Sequence, residues 1–417
     1  MKKTTLNFYR SKQLISVSAA VIFLSVGLIL LLGLAADSRA SNNSSSLLFF
    51  PLVYSDSRLA PVPSIVASIP LEGARCPKDM SFNSFSGDLY ITNEDSDNVS
   101  IIRDQSFLRN ISTGNRPIHV ESDPNSSKVY VSHLWSGISI LEGDSISAHI
   151  PQYGESYNIT TNSVNNYTYV TDLYRPITII QDSTKVKDLF VPDFNGQTIV
   201  WQLASDFDRL TGLTYFASWQ YGAMTVVEGT EVTDQYSFHG EGASDMIVDS
   251  HRRLIVVANA RAQADSNTLN NISIVDLNTK GVTAIFSAKY SSHIDFDPVT
   301  GYVYVTNPSD DTVTVLQGKM EVATYQTGKK PWDVAVDPIT GYAYVTNSEE
   351  HSVSVFKDGV PVTTIDLPED KGFEPWKVTI DEESGRVYIL DRSSIDKPSY
   401  REKQVVECRK PWVHILE

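Results

Sequence analysis

The sequence is short of positive charge. Against 50 aspartates and glutamates stand 34 lysines and arginines, for a formal charge of −16. An acidic surface repels phosphate backbones, and the basic residues are scattered without a local patch, so no nucleic-acid partner is expected. Cysteine is almost absent: Cys76 and Cys408 are the two in 417 residues. Catalytic phrases are missing as well, with no Gly-x-Ser-x-Gly, His-Glu-x-x-His, P-loop or Cys-x-x-Cys. What remains is the balance of a globular protein and not a disordered one, at 41% apolar and 20% charged.

The N-terminus reads as a targeting segment over residues 1–40. Lys2, Lys3, Arg10 and Lys12 precede an apolar run from Leu14 to Ala36, and Ser38-Arg39-Ala40 places small residues where a signal peptidase reads them. The run is also long enough to span a bilayer, so a cleaved signal and a retained anchor both stay open. Either way the following chain is expected outside the cytoplasm, secreted or held in the cell envelope, with membrane contact only through an uncleaved segment. Residues 41–63 form a Ser/Asn/Pro linker interrupted by the apolar patch LLFFPLVYS, whose role stays open.

From residue 64 onward the chain repeats itself. GYVYVTNPSDDTVTV begins at Gly301, and GYAYVTNSEEHSVSV at Gly341. Before them stand Asp-Pro-Val-Thr-Gly and Asp-Pro-Ile-Thr-Gly, in which Asp can cap the turn's amides and Gly tolerates positive φ. The same Asp/Asn, seven residues ahead of a tyrosine in seven of eight copies, recurs as Asn83/Tyr90, Asp123/Tyr130, Asn162/Tyr169 and Asp208/Tyr215. It continues as Asp249/Val256, Asp297/Tyr304, Asp337/Tyr344 and Asp381/Tyr388. The copies lie 39 to 48 residues apart, the period of a four-stranded propeller blade. The alternating Val, Tyr and small polar residues carry the strand period of two. The last unit lacks its outer strand, and an orphan strand over 64–72 precedes the first. The fold expected is therefore an all-β, single closed propeller over 64–417, with eight four-stranded blades and the N-terminal strand completing the last.

The phrases GYVYVTN and GYAYVTN, with DPVTG and DPITG before them, resemble the repeats of YVTN-type β-propellers from prokaryotic cell surfaces and periplasms. The resemblance covers residues 64–417 and is strongest in the sixth and seventh units. It implies a propeller, more often of seven blades than eight, and it is a poor guide to function, because propellers host binding proteins, scaffolds and enzymes.

In such a fold the first strand of each unit lines the central channel. Its upper layer reads Asp79, His119, Asn158, Ala204, Asp245, His293, Asp333 and Lys377. Its lower layer includes Glu121, Asp206 and Asp295. A solvated polar channel accounts for these groups. A cation site, with Ca²⁺ the ion that clustered carboxylates favour, is the sharper alternative, held by Asp79, Asp245, Asp333, Glu121, Asp206 and Asp295. His119 and His293 stand across the ring from each other, which argues against a zinc site between them.

The loops between the second and third strands lie at the end of the propeller where the first strands begin, here called the top. They vary and carry insertions, whereas the bottom turns are short and repetitive. Trp135, Tyr174, Trp219 and Tyr221 fall in these loops and are the candidate ligand-binding aromatics. Trp332 and Trp376 are in repeat register and read as packing. His351, in the turn SEEHSVSV, reads as a solvated surface histidine. Cys76 and Cys408 both fall at the top of neighbouring blades and form a disulfide candidate in an exported chain. These readings favour an extracytoplasmic binding protein that recognises a ligand or envelope partner on its top face. A channel-centred metal-assisted lyase or lactonase and a purely structural surface module are the alternatives.

Overall fold

Each Asp-Pro-x-Thr-Gly phrase closes on itself. Asp337 accepts the amide of Ile339 (2.9 Å) and the hydroxyl of Thr340 (2.5 Å), while Gly341 N–H bonds back to the Asp337 carbonyl (2.8 Å). Gly341 sits at φ +76°, where any side chain would be strained. The strands on either side of such turns pair antiparallel throughout a computed structural model of the protein. It describes residues 19–23, 28–32, 63–151, 154–191, 202–238, 242–260, 272–285, 290–372, 374–392 and 410–417. The chain divides into two units, Met1–Ser55 and Asp56–Glu417. In the first, Ala19–Phe23 pairs antiparallel with Leu28–Leu32. None of the described residues forms a helix long and apolar enough to cross a membrane. The apolar patch of the linker lies outside the described residues.

The second unit is a propeller of eight four-stranded antiparallel blades. Their innermost strands, called a, are Pro77–Asn83, Pro117–Ser122, Ser156–Asn162, Gln202–Phe207, Ala243–Asp249, Ile294–Phe296, Pro331–Val336 and Pro375–Asp381. Each packs on the a strand of the next blade, and blade 8 returns to blade 1. Within a blade, strands b, c and d follow outward in chain order. Blade 8 is the exception: a is followed by Arg386–Asp391 and Trp412–Leu416, and its d strand is Ile65–Pro70 from the other end of the propeller. Ile65 lies opposite Leu416 and Pro70 opposite Trp412. The expected eight blades and N-terminal closure are thus what the chain forms.

Every letter of the Tyr-Val-Thr-Asn phrase has a mechanical role. The tyrosine leaves its own blade: Tyr90, Tyr130 and Tyr169 donate to the carbonyls of Gly143, Asp182 and Gly229 in the c–d turn of the following blade (3.0, 2.8 and 2.8 Å). The valine is core, and Val305 and Val345 are fully buried. The threonine joins two inner strands. Thr306 Oγ1 accepts His293 N–H (3.0 Å) and donates to the Trp332 carbonyl of the next blade (2.9 Å). The asparagine ties b to c, as Asn347 Nδ2 donates to Ser352 and Ser354 (2.9 Å each). The apolar cores therefore lie between blades. Met80, Leu89 and Ile91 of blade 1 pack with Tyr388, Leu390 and Val413 of blade 8, with Ile69 of the closing strand among them. Burying such side chains contributes about 1.5–3 kcal/mol each.

Candidate functional site: channel mouth and top face

The carboxylates of the a strands are fastened to the neighbouring blade. Asp79 accepts the amide of Val120 (3.2 Å), Asp206 that of Val248 (2.7 Å), Asp245 that of Ile294 (3.1 Å), Asp295 that of Val336 (2.7 Å) and Asp333 that of Val378 (2.9 Å). In Asp206, Asp245 and Asp295 the other oxygen accepts the amide of the following residue (2.8 Å in each). Strand a is the inner edge of its sheet, and an edge leaves amides without a partner. An acidic side chain from the preceding blade supplies one. Ser81 does the same for Ser122 N–H (3.0 Å). Asn158, counted among the channel-mouth groups, spends its side chain on Ser205 (3.1 Å) and on Ile159 N–H (2.9 Å).

At the top of the channel the charges converge on Lys377. Its ammonium lies 3.3 Å from Asp333 and 3.9 Å from Asp79. Burial pulls Lys377 down, but Asp333, Asp79 and Asp245 outweigh it and hold the lysine above its ordinary range. Burial likewise pushes Asp79 up, and the bond to His119 (3.3 Å) with the charge of Lys377 more than reverses it. The mouth thus carries a linked row, Asp333–Lys377–Asp79–His119, drawn from blades 7, 8, 1 and 2, with the His119 ring 5.8 Å from that of Tyr157. His293 is held at about 4 by burial and is neutral at physiological pH, its Nδ1 2.8 Å from the Trp332 carbonyl. Lys377 supplies positive charge where a bound cation would sit among Asp79, Asp245 and Asp333.

The lower layer differs. Burial together with the charges of Asp79 and Asp206 pushes Glu121 up to about 8. Among the described residues Glu121 takes no amide from the next blade. Burial also raises Asp295 to about 7, as it does Asp245 of the upper layer. Asp206 is raised by burial too, against the pull of Arg209 at 3.7 Å.

Above the channel, blades 2, 3 and 4 each present an aromatic on the b–c loop. Trp135 is 57% exposed, Tyr174 60% and Tyr221 50%, with Trp219 half-buried beside the last. Their backbones are pinned: Trp135 N–H to the Gly154 carbonyl (2.9 Å), Tyr174 N–H to Asp172 (2.8 Å), and the Trp219 carbonyl to Gly242 N–H (2.7 Å). Trp135 sits at φ +73°, a left-handed conformation rare for a bulky residue. The b–c loops of blades 1, 6 and 7 are instead acidic, with Glu94 and Asp95, Asp310 and Asp311, and Glu349 and Glu350. Trp332 and Trp376 are packing: their rings stack at 4.2 Å, Arg392 lies over Trp376, and Trp376 Nε1 donates to the Lys78 carbonyl of blade 1 (3.2 Å).

Two features escaped the sequence reading. The bottom turns expose an apolar residue in five blades, namely Phe85, Val164, Leu210, Val299 and Ile339, so exposed apolar side chains are not confined to the top. The signal was the third position of each Asp/Asn turn. His351 is no solvated surface histidine: it is mostly covered and pairs with Asp391 of blade 8 at 3.3 Å. Of the two cysteines, Cys76 is disulfide-bonded and Cys408 lies outside the described residues.

No protein-family model matches the chain, and no curated protein sequence matches it. Among solved structures it is similar to hydrazine synthase from Kuenenia stuttgartiensis. That match has a TM-score of 0.54 at 14% identity, over 69% of this chain and 97% of the other. A likeness at that identity is one of fold.

Proposed function

We propose that the propeller is an extracytoplasmic binding module, of the YVTN-repeat kind, whose ligand rests on the b–c loops of blades 2–4 beside the channel mouth. The observation that carries this is the run of exposed aromatics on three consecutive blades, with Trp135 and Tyr174 held by backbone hydrogen bonds and Tyr221 following the pinned Trp219. A loop backbone fixed before binding loses little freedom on binding, which favours affinity. The φ of Trp135 adds to this, since backbone strain in a bulky residue persists where something other than packing uses it. Flat rings at the same end of the propeller as a row of carboxylate, ammonium and imidazole groups suit a sugar-like or cationic ligand: C–H faces and cations meet the rings, and polar groups take the hydroxyls. A glycan or other envelope component has that chemistry. Export through residues 1–40 belongs to the same proposal and rests on the basic-then-apolar order of that segment.

The enzyme reading has one point in its favour, that a protein of this fold named hydrazine synthase is known. The channel groups weigh against it. Five carboxylates are committed to blade-to-blade amides, and Lys377 lies among three of them.

The test is binding to envelope glycans by the parent, Trp135→Ala, Trp219→Ala and a bottom-turn control, Glu383→Ala. A true anchor costs about 2 kcal/mol or more on truncation, some 30-fold in Kd at constant fold. If both tryptophan variants bind as tightly as the parent and the control, the rings are surface packing and the proposal fails.

A further inference from the structure

The repeat register isolates three positions that depart together where blade 7 meets blade 8. The first is the left-handed residue of the b–c turn. It is Asp97 in blade 1 and Asp311 in blade 6, at φ +53° and +56°, each accepting an amide from the next blade (Arg116 and Lys330, 2.8 Å each). In blade 7 the same position, at φ +54°, is His351. The second is the asparagine that ends strand b, Asn307 and Asn347; in blade 8 it is Asp391. The third is the strand c hydroxyl that this asparagine holds, Thr314 and Ser354. In blade 8 it is His414, which lies opposite Ile389 as Ser354 lies opposite Val345.

Aspartate, asparagine and serine or threonine have become histidine, aspartate and histidine, and the three substitutes meet. Among the described residues, His351, Asp391 and His414 form a group of possible metal ligands whose donor atoms all lie within 4.8 Å of one another. Asp391 and His414 are fully buried.

We propose that His351, Asp391 and His414 bind a single transition-metal ion of the zinc class. Two imidazoles and one carboxylate are a borderline donor set that suits zinc, copper or nickel better than calcium. The His351 Nε2 to Asp391 Oδ2 separation of 3.3 Å is close to the edge of about 3.4 Å between ligands of a tetrahedral ion with bonds near 2.1 Å. The donor atom of His414 lies within 4.8 Å of both.

The surroundings are arranged as ligand supports. His414 Nδ1 is engaged by Ser68 Oγ at 2.9 Å, which leaves the buried Nε2 as its donor atom. Asp391 Oδ1 accepts Glu374 N–H (3.0 Å), and Oδ2 lies 3.3 Å from His351 Nε2. The His351 carbonyl holds Leu367 N–H (3.0 Å). Outer hydrogen bonds such as those of Ser68 to His414 and of Glu374 N–H to Asp391 set the orientation of metal-bound imidazole and carboxylate. The nearby cation Arg392 is held by Glu374 at 2.6 Å. Blade 2 provides the contrast. His133 and His149 are also close there, but Ser139 remains on strand c and bridges them at 3.0 and 3.3 Å, so a hydroxyl fills the place of an ion.

Since Ser68 belongs to the N-terminal strand and His351 to blade 7, an ion here would clamp the closing blade to its neighbour. The experiment uses the oxidised full-length chain, stripped with chelator and titrated with Zn²⁺ by calorimetry. Co²⁺ visible absorption reports geometry. The comparison is the triple variant His351→Asp, Asp391→Asn, His414→Ser, which installs the residues other blades carry at these positions. The parent should bind one ion with Kd at or below about 1 μM, give a four-coordinate Co²⁺ spectrum and melt higher with zinc. The triple variant should keep its circular dichroism and lose all three effects. Absence of parent binding at that affinity overturns the proposal. So does undiminished binding by the triple variant, which would place the ion on the channel carboxylates. Should the triple variant misfold, His414→Ser alone decides, and retention of the Co²⁺ spectrum by it is equally fatal.

Discussion

Glu121 is the least compensated charge along the channel. Its carboxyl is raised to about 8 in the fold by burial and by Asp79 and Asp206, against 4.5 as its ordinary value. A raised acid binds its proton more tightly in the native state. Its contribution to stability is therefore complete below about pH 4.5 and is lost as pH rises toward 8. Glu121→Gln cannot titrate. Its denaturation midpoint should equal the parent's at pH 4 and exceed it progressively between pH 5 and 8. A constant difference across that range would show that Glu121 is ionised in the fold. His133 and His293, held at about 4 by burial, act with the opposite sign, since their contribution is lost as pH falls from 6.5 toward 4. Neither the shift nor its cause was legible in the sequence. That placed Glu121 on the channel face but could not say that Asp206, two blades on, is near enough to oppose it.

At the scale of the strand, the recurring acidic position on a is a joint between blades. Asp295 accepts Val336 N–H of the next inner strand at 2.7 Å and Phe296 N–H at 2.8 Å. Asp295→Ala removes both acceptors and leaves partly buried amides, at a cost of about 1–3 kcal/mol. Urea denaturation at pH 7 measures it, and a loss below about 0.5 kcal/mol would show that water replaces the carboxylate. The sequence marked these aspartates through their alternation, and that alternation made a cation site a reasonable expectation. What it could not show is the hydrogen-bond partner. The partner is a backbone amide from another blade, and amides carry no residue-type signal. The same limit hid the cluster at His351: its members are separated by tens of residues, and only the pairing of strands c and d across the closure brings Ser68 onto His414.

For the whole molecule the decisive element is the strand from Ile65 to Pro70, which pairs with Trp412–Leu416 and lends Ile69 to the core between blades 8 and 1. Without it strand c of blade 8 becomes an open edge. Deleting residues 64–72 should lower the melting temperature and convert monomer to aggregate in size-exclusion chromatography. A monomeric deletion variant of unchanged melting temperature would mean that the ring closes by other contacts. Cys76, immediately ahead of the first inner strand, is disulfide-bonded.

The sequence by itself determined the architecture. A turn Asp or Asn repeated every 39 to 48 residues, seven positions ahead of a tyrosine in seven of eight units, counts blades, and an incomplete last unit with an orphan first strand dictates closure. Local chemistry suffices for that, because turn geometry and strand alternation are written in neighbouring residues. The exposure of Trp135, Tyr174 and Tyr221, the lysine set among three carboxylates, and the meeting of His351, Asp391 and His414 were decided only by tertiary structure. Each depends on distances between blades, and those are set by how the ring packs and not by the spacing of residues along the chain.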